Sequence, residues 1–261
     1  MKKKVLKYMN RSEADVHKLT ALITGGERGI GAAITQVLRE DGITCTVTGR
    51  SKDRPSHLDP EVNYESLDFL DPRSVDDFLG FVREDLKPDI LVNNAGFNSV
   101  APIAEMSSSL LRDIMEVNLI GPYLLTQASL PAMIANEWGR IVNISSIWSV
   151  IGNSGNSAYC ASKFGIDGFT ASLASEVADK GVLVNAVAPG YTATEALKSK
   201  YSQSQIEEVS RHIPVGRLGE PEEVAEIVSW LVSPKNGYVS GQNICVDGGL
   251  TRTSHPIRRW T

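Results

Sequence analysis

The sequence predicts an α/β domain in which helices wrap a parallel sheet. Short runs rich in Val and Ile recur along the chain, and their nearly continuous apolarity is typical of strands covered on both faces. Segments with apolar residues at helical spacing separate these runs. Because parallel strands need crossover connections, this alternation implies a parallel sheet.

Seven strands and five helices are expected. In chain order, the strand runs cover residues 19–24, 43–48, 62–67, 90–93, 140–145, 182–187 and 243–246. The helical segments between them cover residues 30–41, 74–86, 110–135, 158–180 and 222–232. Pro221 stands where a first helical turn tolerates proline. The 261 residues show no internal boundary or repeat, so we expect one domain over residues 19–250, a polar extension over 1–18 and a tail over 251–261.

Composition and charge argue against several classes of function. The net charge is −5, from 26 basic and 31 acidic residues without a long basic stripe, so we expect no nucleic-acid partner. No apolar run of signal or membrane-spanning length follows the basic start at residues 2–4, so secretion and membrane insertion are not expected. Three unpatterned cysteines indicate reduced thiols in a cytoplasmic protein, and four scattered histidines lack the spacing of a zinc site.

Tyr159 and Lys163 are the first candidates for chemistry. They stand one turn apart in a predicted helix, so both side chains project from one face. A phenol with a reference pKa near ~10 exchanges protons at neutral pH only if its anion is stabilised, and the lysine can supply that charge. Ser146, at the end of a strand run, can hydrogen-bond the oxygen that the tyrosine protonates. Alone, a Tyr-x-x-x-Lys pair fits an ordinary helix with a surface lysine better, because such pairs are common by chance.

A glycine-rich loop follows the first strand and opens the first helix. Residues 24–31 read TGGERGIG, with the glycines spaced G-x-x-x-G-x-G. Glycine permits a tight turn and close approach to a pyrophosphate, and the helix N-terminus offers free N–H groups. The loop therefore predicts a dinucleotide site, against the alternative of a glycine-rich turn without a ligand. Its candidates are Gly25, Glu27, Arg28, Gly29, Ile30 and Gly31.

The charge at the end of the second strand indicates which dinucleotide binds. A carboxylate there would hold the ribose diol of NAD and repel a 2′-phosphate. The chain instead has Arg50 and Ser51 there, and Arg28 lies in the glycine loop. Two guanidinium groups suit a phosphate dianion, so NADP(H) is favoured as cofactor. NAD(H) stays the alternative, since either arginine can be an ordinary solvated residue.

These residues together resemble the short-chain dehydrogenase/reductase family over nearly the whole chain, from about residue 19 to 249. Residues 24–31 match its TGxxxGIG loop, residues 93–96 its NNAG segment and residues 246–249 its C-terminal strand signature. Single motifs of this kind are weak, whereas several in the family's order are strong. The resemblance implies a single-domain, Rossmann-type doubly wound fold with a seven-stranded, mostly parallel sheet and helices on both faces.

The resemblance also implies a catalytic tetrad of Asn118, Ser146, Tyr159 and Lys163. Lys163 would hold the nicotinamide ribose and lower the pKa of Tyr159, which would act as general acid in carbonyl reduction. Ser146 would orient the carbonyl, and Asn118 would anchor a proton-relay water. The other cofactor contacts that the family pattern implies are Asp68, Phe69, Asn94, Ala95, Gly96, Tyr159, Lys163, Pro189, Gly190, Thr192 and Thr194.

The substrate pocket should lie beyond the carboxyl ends of the strands. The segment after Thr194 is polar with a helical pattern, so it is a candidate lid over the substrate. The substrate candidates are Phe97, Trp148, Asn153, Asn156 and Tyr191. The aromatic residues among them fit an ordinary buried core equally well.

We therefore expect an NADP(H)-dependent oxidoreductase that transfers a hydride between the nicotinamide and a small-molecule carbonyl or secondary alcohol. The chain most resembles ketoreductases of the 3-oxoacyl-(acyl-carrier-protein) reductase type, although no arginine cluster marks a docking site for an acidic carrier protein. The alternatives are an NAD-linked sugar or alcohol dehydrogenase and a non-catalytic nucleotide-binding regulator. By resemblance, the protein would be a homo-oligomer, tetramer or dimer, paired through its two long helices and its C-terminal strand.

Overall fold

The computed structural model describes residues 19–253; the expected extension over 1–18 and the tail from 254 onward lie outside the described residues. Seven strands form at the expected places, each within two residues of the expected bounds. They are β1 (Thr20–Ile23), β2 (Thr44–Gly49), β3 (Asn63–Ser66), β4 (Ile90–Asn93), β5 (Gly139–Ile144), β6 (Val182–Pro189) and β7 (Asn243–Val246).

The helices fill the intervals between the strands, as predicted. They are α1 (Gly29–Glu40), α2 (Pro72–Phe81), α3 (Ser108–Met115), α4 (Gly121–Ala135), α5 (Ser157–Val177), α6 (Glu195–Lys198), α7 (Gln203–His212) and α8 (Pro221–Val232). Two expected helices contain a π turn. The segment after α2 winds into a π turn over Val82–Leu86, and a second π turn over Glu116–Ile120 separates α3 from α4.

All seven strands are parallel, so the expected "mostly parallel" sheet is corrected to a fully parallel one. Their order is β3-β2-β1-β4-β5-β6-β7. In the central strand β1, Ile23 pairs with Val47 of β2 on one side and with Val92 of β4 on the other. The chain order reverses between β1 and β4, and in such sheets a crevice opens at the carboxyl ends of the strands there. The doubly wound fold is confirmed.

Two apolar layers cover the two faces of the sheet. On one face, Ile34 and Leu38 of α1 pack with Val224 and Val228 of α8 in a cluster of fully buried side chains. On the other face, a second cluster joins residues of α2, α4 and α5 to the strands. Because both faces are covered, β1 and β4 are apolar except for one terminal residue each, Thr20 and Asn93, which is the nearly continuous apolarity that predicted a parallel sheet.

The connection from β2 to β3 contains no helix. Residues 50–62 form turns and bends instead. Arg54 holds this segment together by donating hydrogen bonds to the backbone carbonyls of Val62 and Asp59. Arg39 of α1 ties it to the domain through ion pairs with Asp59 and Glu61. The edge of the sheet next to the glycine loop is therefore covered by an irregular, polar segment.

Candidate active site

Helix α5 brings Tyr159 and Lys163 to the carboxyl edge of the sheet. Lys163 is 3% exposed, and its Nζ donates a 2.8 Å hydrogen bond to the carbonyl of Ile144, the last residue of β5. The same Nζ lies 5.6 Å from the centroid of the Tyr159 ring. The i, i+4 spacing places both side chains on one helix face, and the strand end fixes the ammonium group.

Ser146 stands two residues beyond the end of β5 and begins a short 3₁₀ turn. Its Oγ accepts a 3.2 Å hydrogen bond from the N–H of Trp148, and the residue is 8% exposed. Ser146 also hydrogen-bonds the side chain of Tyr159. The structure therefore brings the two hydroxyl groups together, from a strand end and a helix that are separate in sequence.

Burial dominates the pKa values of this pair. It raises the pKa of Tyr159 to about 12, while the hydrogen bond from Ser146 acts in the opposite direction. Burial also lowers the pKa of Lys163 to about 8. The sequence predicted that Lys163 would lower the pKa of Tyr159, whereas in the polypeptide alone burial raises it.

Asn118 lies inside the π turn between α3 and α4 and is 1% exposed. Its Oδ1 accepts a 2.8 Å hydrogen bond from the N–H of Phe97, and its Nδ2 donates to the Phe97 carbonyl at 2.8 Å and to Ser162 Oγ at 3.0 Å. Both amide donors are thus committed to the protein. A relay water at this residue would have to bond to an oxygen atom of Asn118.

The glycine loop has the shape that an anionic group requires. Gly25 and Gly29 have φ values of +61° and +54°, which residues with a side chain rarely adopt. Arg28, at the N-cap of α1, makes no side-chain capping bond, whereas Asp71 caps α2 and Ser202 caps α7. The first-turn N–H groups of α1 therefore stay available to a phosphate, so these residues fit a dinucleotide pyrophosphate.

The segment after β4 joins the glycine loop to the reacting groups. Asn94 Nδ2 donates to the carbonyls of Thr24 and Gly25 at 2.9 and 3.1 Å, and the backbone N–H of Ala95 donates to Thr24 Oγ1 at 2.9 Å. An added Cβ at Gly96 would lie 3.9 Å from Lys163 Nζ. These predicted cofactor residues thus span the crevice, and Asn94 has a clear structural role in closing it.

Residues at the ends of β2 and β3 line the other end of the crevice. Arg50 and Ser51 are exposed, and the Ser51 carbonyl accepts a 2.7 Å hydrogen bond from Tyr64. Asp68 Oδ1 accepts a 3.0 Å bond from the Leu70 N–H. The Phe69 ring is buried against Gly121 of α4, so its side chain is a packing group, and only its backbone can face a cofactor.

The segment after β6 returns to the glycine loop. Gly190 lies so close to Asp247 that an added Cβ would approach its Cα to 2.8 Å. Thr192 is 6% exposed and pairs with Gly219. Thr194 caps α6, and its Cγ2 would lie 3.4 Å from a Cβ on Gly29. Pro189 ends β6, so the four residues predicted to close over a nicotinamide form one strand-end segment above the loop.

The substrate candidates divide into two groups. Trp148, two residues after Ser146, meets Tyr191 edge to face, with the ring centroids 6.2 Å apart. Phe97 is 37% exposed at the same edge of the sheet. Asn156 is instead buried and accepts a 3.0 Å hydrogen bond from Asn98, so it holds loops together. The carbonyl of Asn153 accepts from the Asn156 N–H, in the same loop.

Sequence reasoning missed Ser162 and a set of exposed apolar residues. Ser162 is fully buried and connects Asn118 to the Tyr159 carbonyl, which its Oγ contacts at 2.7 Å. No local signal identifies such a residue, because its partner Asn118 lies 44 positions away. Several exposed apolar side chains lie in the connections that follow β4, β5 and β6. They are Val100, Ile103, Val150, Ile151 and Val215.

The sequence predicted neither a metal site nor a membrane-spanning helix. Over residues 19–253, no group of three or more His, Cys, Asp or Glu side chains is arranged to hold a metal ion. Over the same residues, no helix has the length and apolarity needed to cross a membrane.

Comparison with known proteins finds similar reductases over nearly the whole chain. A family model described as enoyl-(acyl carrier protein) reductase matches residues 25–251. The 3-oxoacyl-(acyl-carrier-protein) reductase of Vibrio cholerae is 37% identical over 235 residues, covering 88% of this chain and 96% of that protein. The corresponding reductase of Aquifex aeolicus is 39% identical over 239 residues, with the same coverage of 88% and 96%.

Solved structures with similar folds include proteins with a bound dinucleotide. A Beutenbergia cavernae protein with bound NADP superposes with a TM-score of 0.85 and 34% identity, covering 90% of this chain and 97% of that one. A gluconate 5-dehydrogenase of Burkholderia cenocepacia, in complex with NADP and tartrate, superposes with a TM-score of 0.83 and 30% identity, covering 90% and 96%.

Proposed function

Because the chain belongs to the short-chain dehydrogenase/reductase family, we propose that it reduces a carbonyl group to a secondary alcohol with NADP(H) as cofactor. The observation that carries the proposal is the group of Ser146, Tyr159 and Lys163 at the carboxyl edge of the sheet, in which Ser146 and Lys163 are buried and Tyr159 is half-buried. This group lies beside the crevice where the strand order reverses, and such crevices are where open α/β sheets bind their ligands.

Tyr159 is the proton donor in this proposal. Its pKa of about 12 keeps the phenol protonated at neutral pH, so it has a proton to give to a carbonyl oxygen. Ser146 lies beside it and donates a second hydrogen bond to that oxygen, which stabilises the negative charge that develops there. Lys163, with a pKa of about 8, is mostly charged at pH 7, and its charge favours the phenolate as the proton leaves.

The glycine loop and the segment after β6 hold the cofactor in this proposal. When bound, the nicotinamide supplies the hydride. The N-terminus of α1 binds the pyrophosphate, and Thr192 and Thr194 border the nicotinamide end. Arg28 and Arg50, both exposed near the end of β2, attract the 2′-phosphate that distinguishes NADP from NAD. The structural relatives with bound NADP support this choice.

A 3-oxoacyl group is the substrate class that the site favours. Val100 and Val215 are 66% and 60% exposed, and the loop that carries Val100 is bonded to the loop after Trp148 through the Ala101 N–H and the Gly155 carbonyl. Large apolar side chains at the mouth of a pocket suit an acyl chain better than a polyhydroxylated sugar. The identity to 3-oxoacyl-(acyl-carrier-protein) reductases over most of the chain supports the same choice.

A keto sugar acid is the second candidate substrate. It is favoured by the structural similarity to a gluconate 5-dehydrogenase, with a TM-score of 0.83. In that case the polar lid segment α6–α7, which carries Lys198 and Gln203, would supply the groups that bind hydroxyls and a carboxylate.

The experiment that tests the proposal is a fluorescence titration with NADPH and NADH side by side, followed by NADPH oxidation with a substrate panel. The panel contains a short 3-oxoacyl thioester, a longer one and 5-ketogluconate. The proposal expects saturable NADPH binding and turnover of the thioesters that improves with chain length. Binding without turnover of any carbonyl would instead favour a nucleotide-binding regulator, and turnover of 5-ketogluconate alone would favour the sugar dehydrogenase.

We also propose that the protein is a cytoplasmic homo-oligomer, a tetramer or a dimer. Exposed aromatic residues on the two long helices, Tyr123 at 51% and Phe164 at 48%, support an interface there. Trp230 and Tyr238, which precede the C-terminal strand in the chain, are also exposed. The three cysteines are free thiols, as a reducing compartment favours. Light scattering coupled to gel filtration tests the oligomer, because a monomer at micromolar concentration contradicts it.

A further inference from the structure

The side chain of Glu27 lies at the end of β2, although Glu27 itself belongs to the glycine loop. A Cβ added to Gly49, the last residue of β2, would overlap the Glu27 carboxylate and would approach its Cδ to 2.7 Å. The carboxylate therefore rests against the Cα of Gly49. Only a residue without a side chain leaves room for it in this position.

The surroundings of Glu27 keep its carboxylate near the strand end. The Tyr64 hydroxyl lies 2.8 Å from the same added Cβ and is fixed by its hydrogen bond to the Ser51 carbonyl. Burial, and then the negative charge of Glu27, raise the pKa of Tyr64. His57 contacts only the backbone carbonyl of Glu27, at 3.2 Å.

No ion pair neutralises Glu27 within residues 19–253. The salt bridges there join other residues, and neither Arg28 nor Arg50 is within 4.0 Å of the Glu27 carboxylate oxygens in an ion pair. Both arginines are exposed, whereas Glu27 is half-buried. The end of β2 thus carries a half-buried carboxylate, with the exposed Arg50 next to Gly49 in the chain and the exposed Arg28 next to Glu27.

The end of β2 is where a dinucleotide's adenosine ribose lies in doubly wound sheets, and a carboxylate there accepts hydrogen bonds from the ribose diol and repels a 2′-phosphate. In this chain β2 ends at Gly49 and is followed by Arg50, which favours NADP. The glycine loop, however, places the Glu27 carboxylate at the same strand end. We propose that Glu27 is a specificity-determining residue that binds the ribose diol of NAD(H) and weakens the preference of the site for NADP(H).

This inference rests on the proposed function, since it assumes that the crevice binds a dinucleotide. Arg28 and Arg50 attract the 2′-phosphate, and Glu27 opposes it from the same strand end. The outcome is a site that binds both dinucleotides, with a smaller ratio between their affinities than the two arginines alone would give.

The test is Glu27→Gln, which keeps the shape of the side chain and removes its charge. The dissociation constants of NADPH and NADH are measured by fluorescence titration on the full-length protein. The variant is expected to bind NADPH about 10-fold more tightly and NADH several-fold more weakly, because a like charge near the phosphate is removed and a diol acceptor is weakened. The change in NADPH affinity is expected to shrink at high salt, where exposed charges are screened.

The matched control is Glu40→Gln, which removes the same charge from the far end of α1, where the carboxylate accepts only from Gln36. It is expected to leave the NADPH-to-NADH affinity ratio within about 2-fold of the wild-type value, since it lies outside a Debye length from the loop. An unchanged ratio in Glu27→Gln, or an equal change in Glu40→Gln, overturns the proposal. If the wild-type protein binds neither dinucleotide, the proposed function itself fails, and the two failures are therefore distinguishable.

Discussion

The two ends of the crevice are built in different ways. At the reacting end, Lys163 and Asn118 are almost fully buried, and their polar atoms are bonded to the backbone of neighbouring elements. At the adenosine end, Arg28 and Arg50 are exposed and stand on loops. The reacting end is thus positioned by packing, whereas binding at the adenosine end depends on the balance of exposed charges.

This difference determines how each end responds to substitution. A buried reacting group depends on one fixed geometry, so removal of its chemistry should lower activity far more than it lowers cofactor affinity. An exposed charge acts through a screened field, so its removal should change affinity by a modest factor that depends on salt.

The largest effect is expected for Tyr159→Phe. The variant keeps the ring and its packing but loses the proton that the carbonyl oxygen receives, so kcat should fall about 1,000-fold or more. NADPH affinity should stay within about 2-fold of wild type, since the phenol oxygen is not needed to hold the cofactor at the glycine loop. Steady-state kinetics and fluorescence titration measure the two quantities, and retained turnover would remove Tyr159 from the mechanism.

Lys163→Met should lower kcat about 100-fold, because it removes the buried charge that favours the phenolate while keeping a side chain of similar length. The variant should also differ from the wild type in how its unfolding free energy depends on pH. Burial lowers the pKa of Lys163 from 10.5 to about 8, so between these values the unfolded chain binds more protons than the folded one. The unfolding free energy of the wild type should therefore rise with pH across this window, relative to that of the variant.

Urea denaturation of both proteins at several pH values from 7 to 10 checks this slope. Parallel curves would mean that the lysine is not desolvated in solution. In the wild type, kcat should also decline as the pH rises past about 8 and Lys163 loses its proton.

At the reacting end, the residue types and their order were predictable from the sequence. Tyr159, Lys163 and Ser146 stand on one helical turn and one strand end, which are local patterns, and the family resemblance singled them out. At the adenosine end, the sequence predicted the arginines and the preference for NADP but not the position of the Glu27 side chain. The strands were also predictable, because continuous apolarity is a local pattern. The sequence predicted a lowered pKa for Tyr159, whereas burial raises it. Desolvation depends on packing, which a local sequence pattern does not reveal.

Long-range placements account for what the sequence missed. Glu27 was predicted as a dinucleotide-binding candidate in the glycine loop, but its position over Gly49 depends on how two strand ends meet in the sheet. Ser162 gave no signal, since its contact with Asn118 crosses from one helix to another. Phe69 was expected to contact the cofactor, and its side chain fills the space beside Gly121, which leaves its backbone for that contact.

At the adenosine end, Arg50→Ala should weaken NADPH binding about 10-fold and leave NADH binding nearly unchanged, because only NADPH carries the 2′-phosphate that the guanidinium attracts. The effect should shrink as salt rises. Arg83→Ala is the control, since Arg83 is exposed in the π turn after α2 and lies in a different element. Equal losses for both nucleotides would place Arg50 outside the 2′-phosphate site.

The smallest effect is expected for Ser162→Ala, which tests whether hydrogen bonding fixes the reacting end. Ser162 Oγ donates to the Tyr159 carbonyl at 2.7 Å and accepts from Asn118 Nδ2, so alanine leaves a buried amide N–H without its partner. We expect a loss of about 1–2 kcal/mol in the free energy of unfolding and a several-fold fall in kcat with KM nearly constant. Ser175→Ala is matched to it, because Ser175 makes the same 2.7 Å bond to the carbonyl three residues earlier on the exposed side of α5. If both variants lose the same stability and neither loses kcat, the bond to Asn118 does not position the tyrosine, and packing alone holds the reacting end.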